Sequence, residues 1–319
     1  LSGKGTEVAY RKGTAYLAAL PQPDGKIKTD LAYPVYTASG AVIILTRDGN
    51  PSYRKARDAW LAFLRSYQSV EPLGWKPGDL QYGGWGYSVS LPRKPAPGQP
   101  EDPMGDSNLS ATLFAVGALR VAGFTPKDPC ILKALRFVKQ CQNFSDRKPG
   151  PGSDGGFFLS PTHLVKNKAG IAGGDKAGHP AIHSYGSATA DGLRSLIRCG
   201  LPPGDPRIQR ARNWLEEHFD PAVNPGHFEK GSATQRDSVY YYYCWSLAHA
   251  MLELGQIVQG QENRKWARSL AEELLRRQLP DGSWVNRFTA SREDEPLIST
   301  PMALSALTIC RMMASGDKP

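Results

Sequence analysis

Several signals that usually betray a function are missing from this chain. No run of 18 apolar residues suggests a membrane span, and no strand-like segments alternate with helical ones, so a βαβ architecture is excluded. The five cysteines, at positions 130, 141, 199, 244 and 310, form no Cys-x-x-Cys. Their odd number leaves at least one unpaired or linked between chains. Four lie in or beside helical patterns, where a small buried thiol is the ordinary role. No signal peptide or twin-arginine stretch is visible, and the chain begins with Leu1. Both a secreted or periplasmic and a cytoplasmic location therefore fit.

What is present is glycine and proline, 33 and 26 residues of 319, gathered between apolar-periodic stretches. KPAPGQPEDPMG (94–105), RKPGPGSDGG (147–156) and LPPGDP (201–206) punctuate helix ends and loops. With 40% hydrophobic residues the chain can bury a sizeable core. The formal charge of +9 sits on segments such as RKARDAW, IQRARNW and NRKWARS, mixed with acids in several of them, as on a solvated face. Contact with an anionic membrane surface or a diphosphate stays open. Nucleic acid is disfavoured, because no recognition motif accompanies the charge.

A repeat runs through the chain. Glycine stands one or two residues before an aromatic in YGGWGY (82–87), DGGFF (154–158), NPGHF (224–228) and PDGSW (280–284), with DGKI (24–27) as a degenerate copy. Upstream of these turns recurs an apolar pair: Tyr16-Leu17, Trp60-Leu61, Phe137-Val138, Trp214-Leu215 and Leu274-Leu275, spaced 44, 77, 77 and 60 residues apart. Downstream come TASGAVIIL (37–45), SATLFAVGAL (110–119), SATADGLRSL (187–196), YYYYCWSL (240–247) and STPMALSAL (299–307). Five helix pairs result, a repeat with insertions.

The two helix types differ. Segments 54–68, 131–142, 208–219 and 263–278 carry one apolar stripe opposite charges, as a solvent-facing outer helix does. The downstream set is rich in Ala, Gly, Ser, Thr and Tyr with few charges, as in inner helices surrounded by protein. Alternating outer and inner helices with the same connection predict an all-α protein closing into an α/α toroid, a single domain over 1–319. The aromatic after each glycine turn then fills the gap at an outer-helix end, and the nearby Gln bonds the carbonyls left open there.

Outer helix, Gln, short gap, Gly-x-Trp, seen best in RSLAEELLRRQLPDGSW (268–284), resembles the QW repeat of the terpenoid cyclase/protein prenyltransferase superfamily, which includes the squalene–hopene cyclases. GGWGY (83–87) and GGFF (155–158) are looser copies. YGSATADGLRSL and RDSVYYYYCWSLAHAM further resemble bacterial proteins described as prenyltransferase and squalene oxidase repeat proteins, from which no activity carries over. The resemblance implies six inner and six outer helices around a central cavity. Five pairs are visible, so either an N-terminal helix is lacking or the ring is incomplete.

Against that family, the chemistry is depleted. Asn108, Leu109, Ser110 and Ala111 stand where the family's protonating Asp-x-Asp-Asp motif would be, which argues against standard cyclisation. The zinc site of the prenyltransferases is missing too. The single Asp-x-Cys, Asp128-Pro129-Cys130, opens an outer helix, and Arg236-Asp237-Ser238-Val239 occupies the later inner-helix position. The thioester motif Cys-Gly-Glu-Gln of the complement-type toroids is absent. No cofactor and no metal are expected; His179 and His183 are four apart, but Pro180 breaks any helix between them.

An aromatic cavity with a few polar groups remains. Tyr240, Tyr241, Tyr242 and Tyr243 span about 300° of an inner helix, so at least one ring faces the axis. With Tyr185 and Trp85 they are the candidate substrate-binding residues for an isoprenoid, since such faces cover polyenes and stabilise cations; ordinary helix packing is the competing reading. Asp191, with Arg194 three residues on and His183 just before the helix, is a candidate acid or base or half of a structural pair. Asp237 is a candidate acid or an N-cap. Asp106 reads as a cap, His249 as a satisfied buried histidine. Two functions follow: an isoprenoid-binding protein, cyclase-like or prenyl-transferring without the usual motifs, or a non-catalytic protein- or glycan-binding scaffold using the long loops 88–105 and 145–180.

Overall fold

The computed structural model describes residues 4–27, 31–99, 102, 104–145, 152–174, 180–229, 231–257, 265–288 and 291–315. The protein is all-α in character: eleven α-helices and one two-stranded antiparallel sheet lie among the described residues. The outer-type segments form α1 (Lys4–Ala19), α3 (Arg54–Ser66), α5 (Pro129–Gln140), α7 (Pro206–Glu217) and α10 (Lys265–Arg276). The inner-type segments form α2 (Pro34–Asp48), α4 (Leu109–Val121), α6 (Gly186–Arg198), α9 (Tyr240–Ile257) and α11 (Pro296–Ser315). A short α8 (Ala233–Asp237) and the hairpin β1 (Ile171–Gly174) with β2 (Pro180–Ile182) were not expected. The hairpin lies in the long loop before α6. It is a glycine-rich pair with an irregular register, which period-two counting cannot detect.

Two compact units make up the chain: residues 1–140 with 198–200, and residues 141–197 with 201–319. In the first, α2 packs on α3 and α4, and α1 lies on α2 and α3. Burial follows helix type. The amphipathic α3 buries Trp60 and Leu64, while α4 buries ten of its thirteen residues. In the second, α11 packs on α9 and α10; α6 is buried over Gly186–Leu196, and α10 sinks one stripe, Trp266, Ala267, Leu270 and Leu274. By length and composition α11 is the one described helix apolar enough to cross a membrane. Five of its residues, from Ser299 to Cys310, are buried. All five cysteines are free thiols, four of them buried.

The corners explain the recurring Gln and aromatic. After α3, the Gln68 side-chain amide donates to the carbonyls of Gly83 and Cys130, each at 2.9 Å. The indole N–H of Trp85 donates to the Leu64 carbonyl at 2.8 Å, and its backbone N–H to Thr112 Oγ1 at 3.1 Å. The ring plugs the space below the helix end and is fully buried. In the second unit the arrangement recurs twice. Gln142 donates to Gly155 and Arg207 carbonyls at 2.9 and 3.0 Å, and the Phe157 N–H to Thr189 Oγ1 at 3.0 Å. Gln278 donates to the Gly282 carbonyl at 2.9 Å, Trp284 Nε1 to that of Leu274 at 2.7 Å, and the Trp284 N–H to Thr300 Oγ1 at 3.1 Å.

The glutamines therefore do not take the carbonyls at the end of the preceding helix, as expected: they hold the glycine turn and, at Gln68 and Gln142, the first turn of the following outer-type helix, while the indoles of Trp85 and Trp284 reach the helix-end carbonyls of Leu64 and Leu274. Gly83 is required twice over: its φ is +91°, and a Cβ there would lie 2.0 Å from the Lys133 carbonyl oxygen. The turn 224–228 departs from the pattern. Asn224 Oδ1 accepts from the Ser187 N–H at 2.9 Å and the Pro225 carbonyl from the Gly186 N–H at 2.7 Å, so this turn holds the start of α6 instead of plugging a gap.

The Trp284 corner gives a graded test. Removing the ring in Trp284→Ala is expected to destabilise the protein by about 3–5 kcal/mol. Trp284→Phe keeps the plug but removes the indole hydrogen bond to the Leu274 carbonyl, which retains the Arg277 N–H at 3.1 Å, at a cost of about 0.5–1.5 kcal/mol. Urea unfolding of both variants measures the order.

Candidate functional site

The tyrosine run opens α9 without a side-chain cap of its own. Its first N–H groups are held from 51 and 52 residues downstream: Glu293 accepts from the Tyr241 N–H at 3.0 Å, the Tyr242 N–H at 2.8 Å and Asn286 Nδ2 at 3.0 Å. A carboxylate here meets the positive end of the helix dipole. Glu293 is nearly inaccessible. Burial raises its pKa above the usual carboxylate range, against the opposing pull of those hydrogen bonds and of Lys168, whose ammonium is itself held below the ordinary lysine value by burial. Asp237 does not cap α9. It ends α8 and is gripped by Arg236 through two hydrogen bonds of 2.7 and 3.1 Å.

Beyond this cap the tyrosines separate. Tyr240, Tyr241 and Tyr243 are buried, and their hydroxyls donate to the backbone carbonyls of Pro221, Val285 and Asp220 at 2.8, 3.3 and 3.1 Å. Desolvation pushes their phenols up, that of Tyr241 to about 12. These three serve packing. Tyr242 alone points to the other sequence candidate: its hydroxyl donates to Asp191 Oδ2 at 2.7 Å.

A polar chain crosses between α6 and α9 at that point. Ser246, one turn beyond Tyr242, donates to Asp191 Oδ1. Arg194 donates from NH1 to Ser246 Oγ at 3.3 Å and from Nε to Glu253 Oε1 at 3.1 Å. Its guanidinium also lies 4.5 Å from the centre of the Trp245 ring. Asp191 and Arg194 are both about 98% removed from solvent, so their charges persist only because partners surround them. Along α9 from 240 to 254, the part-exposed positions are Tyr242, Trp245, His249, Leu252 and Glu253, one face of the helix. Tyr242 and Trp245 rings are 5.5 Å apart and Trp245 and His249 rings 5.1 Å; His249 Nε2 is 3.0 Å from Ser305 Oγ on α11.

The remaining candidates sit elsewhere. Trp85 belongs to the first-unit corner described above. Tyr185 is buried beside Phe228, 6.1 Å between ring centres, and bridges to Gly226. His183 lies part-buried 5.8 Å from His227, and His179 is outside the described residues. Among the described residues, no group of three or more His, Cys, Asp or Glu side chains could hold a metal. Asp106 is buried, but the cap of α4 is Asn108, which accepts from the Ala111 N–H at 3.0 Å. Asp237, Tyr240 and Tyr241 share a cavity of about 420 Å³ that Asp191 and Tyr242 do not line.

Sequence reasoning singled out neither Glu293 nor Glu253 as functional. Ser246 and Glu253 do fall at i+4 and i+11 from Tyr242, a helical spacing that could have marked them. Chemically, the α6/α9 cluster presents a carboxylate whose two oxygens each accept a hydroxyl hydrogen. Asp191 therefore acts as an anchor for Tyr242 and Ser246, and a proton donor would need one oxygen released.

Burial, then His227, hold His183 below the ordinary histidine value of 6.5, with Glu229 and Asp154 opposing. Such a group resists a proton that the unfolded chain accepts. Its contribution is full above about pH 6.5 and is lost as pH falls below it. Melting temperature is therefore expected to drop between about pH 7 and 5, and His183→Asn to flatten that part of the profile. No family model matches the chain, and no curated protein matches it.

Proposed function

We propose that the chain is an α/α toroid of QW-like corners, akin to the terpenoid cyclase/protein prenyltransferase superfamily, that binds a long isoprenoid along the part-exposed face of α9. The toroid reading is supported by three corners of one construction, each joining an outer-type to an inner-type helix through Gln, glycine and aromatic. The functional reading is carried by one observation: between residues 240 and 254, α9 is buried except along one face formed by Tyr242, Trp245, His249, Leu252 and Glu253. That face runs about 16 Å along the helix and puts three rings in series. Rings in series suit a flexible apolar chain.

Retention of the ligand fits this geometry better than proton-initiated cyclisation. Both oxygens of Asp191 accept hydroxyl protons, and Asp237 is clamped by Arg236. Neither presents the free acid that alkene protonation needs. One observation favours the second reading, a protein-binding scaffold: Leu297 on α11 is 81% exposed, with Ile298 and Leu304 also exposed on that helix.

Incubation with squalene and with farnesyl and geranylgeranyl diphosphates, followed by mass spectrometry of the re-isolated protein and of the supernatant, separates the readings. The expected result is stoichiometric retention without new products. Trp245→Ala is expected to lower retention about tenfold, a loss of about 1.4 kcal/mol, with the melting transition still cooperative. Neither retention nor product would abandon the isoprenoid reading for the scaffold, and new products would replace retention by catalysis.

A further inference from the structure

The 420 Å³ cavity of the second unit is a different kind of site from the α9 face. Its lining includes Asp237 at the end of α8, Tyr240 and Tyr241 at the start of α9, Arg276 and Arg277 at the end of α10, and Arg287 just past the Trp284 corner. On the α9 helix Tyr240 is about 160° round from Tyr242, so the cavity opens to a separate side. In volume it lies within the ~300–1,000 Å³ of small-molecule sites.

Charge in this cavity is unevenly compensated. Arg276 and Arg277 share one carboxylate, Glu273, at 2.6 Å each. This pair of guanidinium groups holds Glu273 down to about 2. Arg277 is further fixed by the Ala222 carbonyl at 2.7 Å and by the Tyr240 ring, 3.8 Å from its guanidinium carbon. Asp237 is neutralised by Arg236. Glu293, behind the cavity, spends its charge on two backbone N–H groups and on Asn286. Among the described residues Arg287 contacts no carboxylate; its guanidinium lies 5.0 Å from the centre of the Phe288 ring.

We propose that this cavity binds a small oxyanion, a phosphate or sulfate monoester, with Arg287 as its principal ligand and Arg276 and Arg277 as a pre-set wall. The argument is complementarity. Arg277 is locked by three partners and loses little freedom on binding, and Arg276 is held beside it by the same carboxylate. Arg287 supplies a whole unmatched guanidinium, whose planar fork suits two oxygens of one anion. Room beyond a bare tetrahedral anion, walled by Tyr240, Tyr241 and Phe288, accommodates the organic part of the ester. The proposal does not depend on the isoprenoid reading.

Calorimetric titration of the full chain with inorganic phosphate, sulfate and glucose 6-phosphate, and flotation with phosphatidylglycerol vesicles, test the site and separate its sources. Arg287→Gln is the principal variant, and Arg212→Gln, on the exposed face of α7, is the control. Saturable binding of the ester, tighter than inorganic phosphate and weakened about 10- to 100-fold by Arg287→Gln as expected for one charged hydrogen-bonding group, supports a soluble ligand. Vesicle capture that Arg287→Gln abolishes, with no response to the soluble anions, assigns the same site to a lipid headgroup. Binding that Arg287→Gln and Arg212→Gln weaken equally, or no binding in any arm, overturns the proposal. Unchanged melting of Arg287→Gln excludes misfolding as the cause, and Arg287→Lys, with partial affinity retained, gives a second readout.

Discussion

The constraint on which the architecture rests is the unfinished C-terminus of the outer-type helices. Each leaves backbone carbonyls without intrahelical partners, and in a packed protein these cannot be abandoned to apolar surroundings. The chain answers with one device. At α3 and α10 an indole N–H donates to a helix-end carbonyl, that of Leu64 or Leu274, a glutamine amide holds the glycine turn that follows, and the aromatic ring occupies the volume that the turning chain would leave empty. Because the aromatic's own N–H is handed to a threonine on the following helix, satisfying one helix end also fixes where the next helix starts. Polar satisfaction and packing are solved by the same few residues, which is why the motif can be repeated while the loops between vary in length.

A second constraint acts on α6, which is buried over Gly186–Leu196 and cannot hydrate the charges it carries there. Asp191 and Arg194 therefore exist only as members of a chain reaching from Tyr242 through Ser246 to Glu253. Glu293 is buried for a related reason, as the anion that finishes the start of α9. Breaking one member of such a set leaves the others charged or unsatisfied, so the cost of any single change exceeds the worth of its own bond. The polar groups of the second unit are in this sense a frame that sets the angle of α9 about its axis.

How much of this the sequence disclosed depends on the range over which each signal acts. The outer-type and inner-type segments were legible because amphipathic periodicity and composition are local, and helices formed at each of them. The corner Gln and aromatic were legible because they recur; the threonines 112, 189 and 300 recur as well, but their role needs the pairing of an inner helix with the turn before it. Glu293 was illegible, since nothing in SREDEPLIST connects it with the N–H groups of a helix start 51 and 52 residues earlier. Asp237 was expected to cap α9 from its position next to the run, whereas a short α8 carries it past and Arg236 takes its charge. The hairpin Ile171–Ile182 escaped because two glycines replace the alternating side chains by which a strand is recognised.

The four tyrosines show how helical phase converts one residue type into different roles. A step of about 100° per residue directs three of the rings into the body of the second unit, where each hydroxyl must find a carbonyl to avoid a buried unmet donor, and each does. The remaining one, Tyr242, falls in line with Trp245 and His249 on the side where α9 is less covered. Composition alone treats these rings as equivalent, and counting aromatics would overstate any pocket they line. Since the phase of α9 is fixed by Glu293 at its first turn and by Asp191 against Tyr242 and Ser246, the residues that decide which ring is presented are two carboxylates that need never touch a ligand. Their part in function is positional, and it follows from the cost of burying charge.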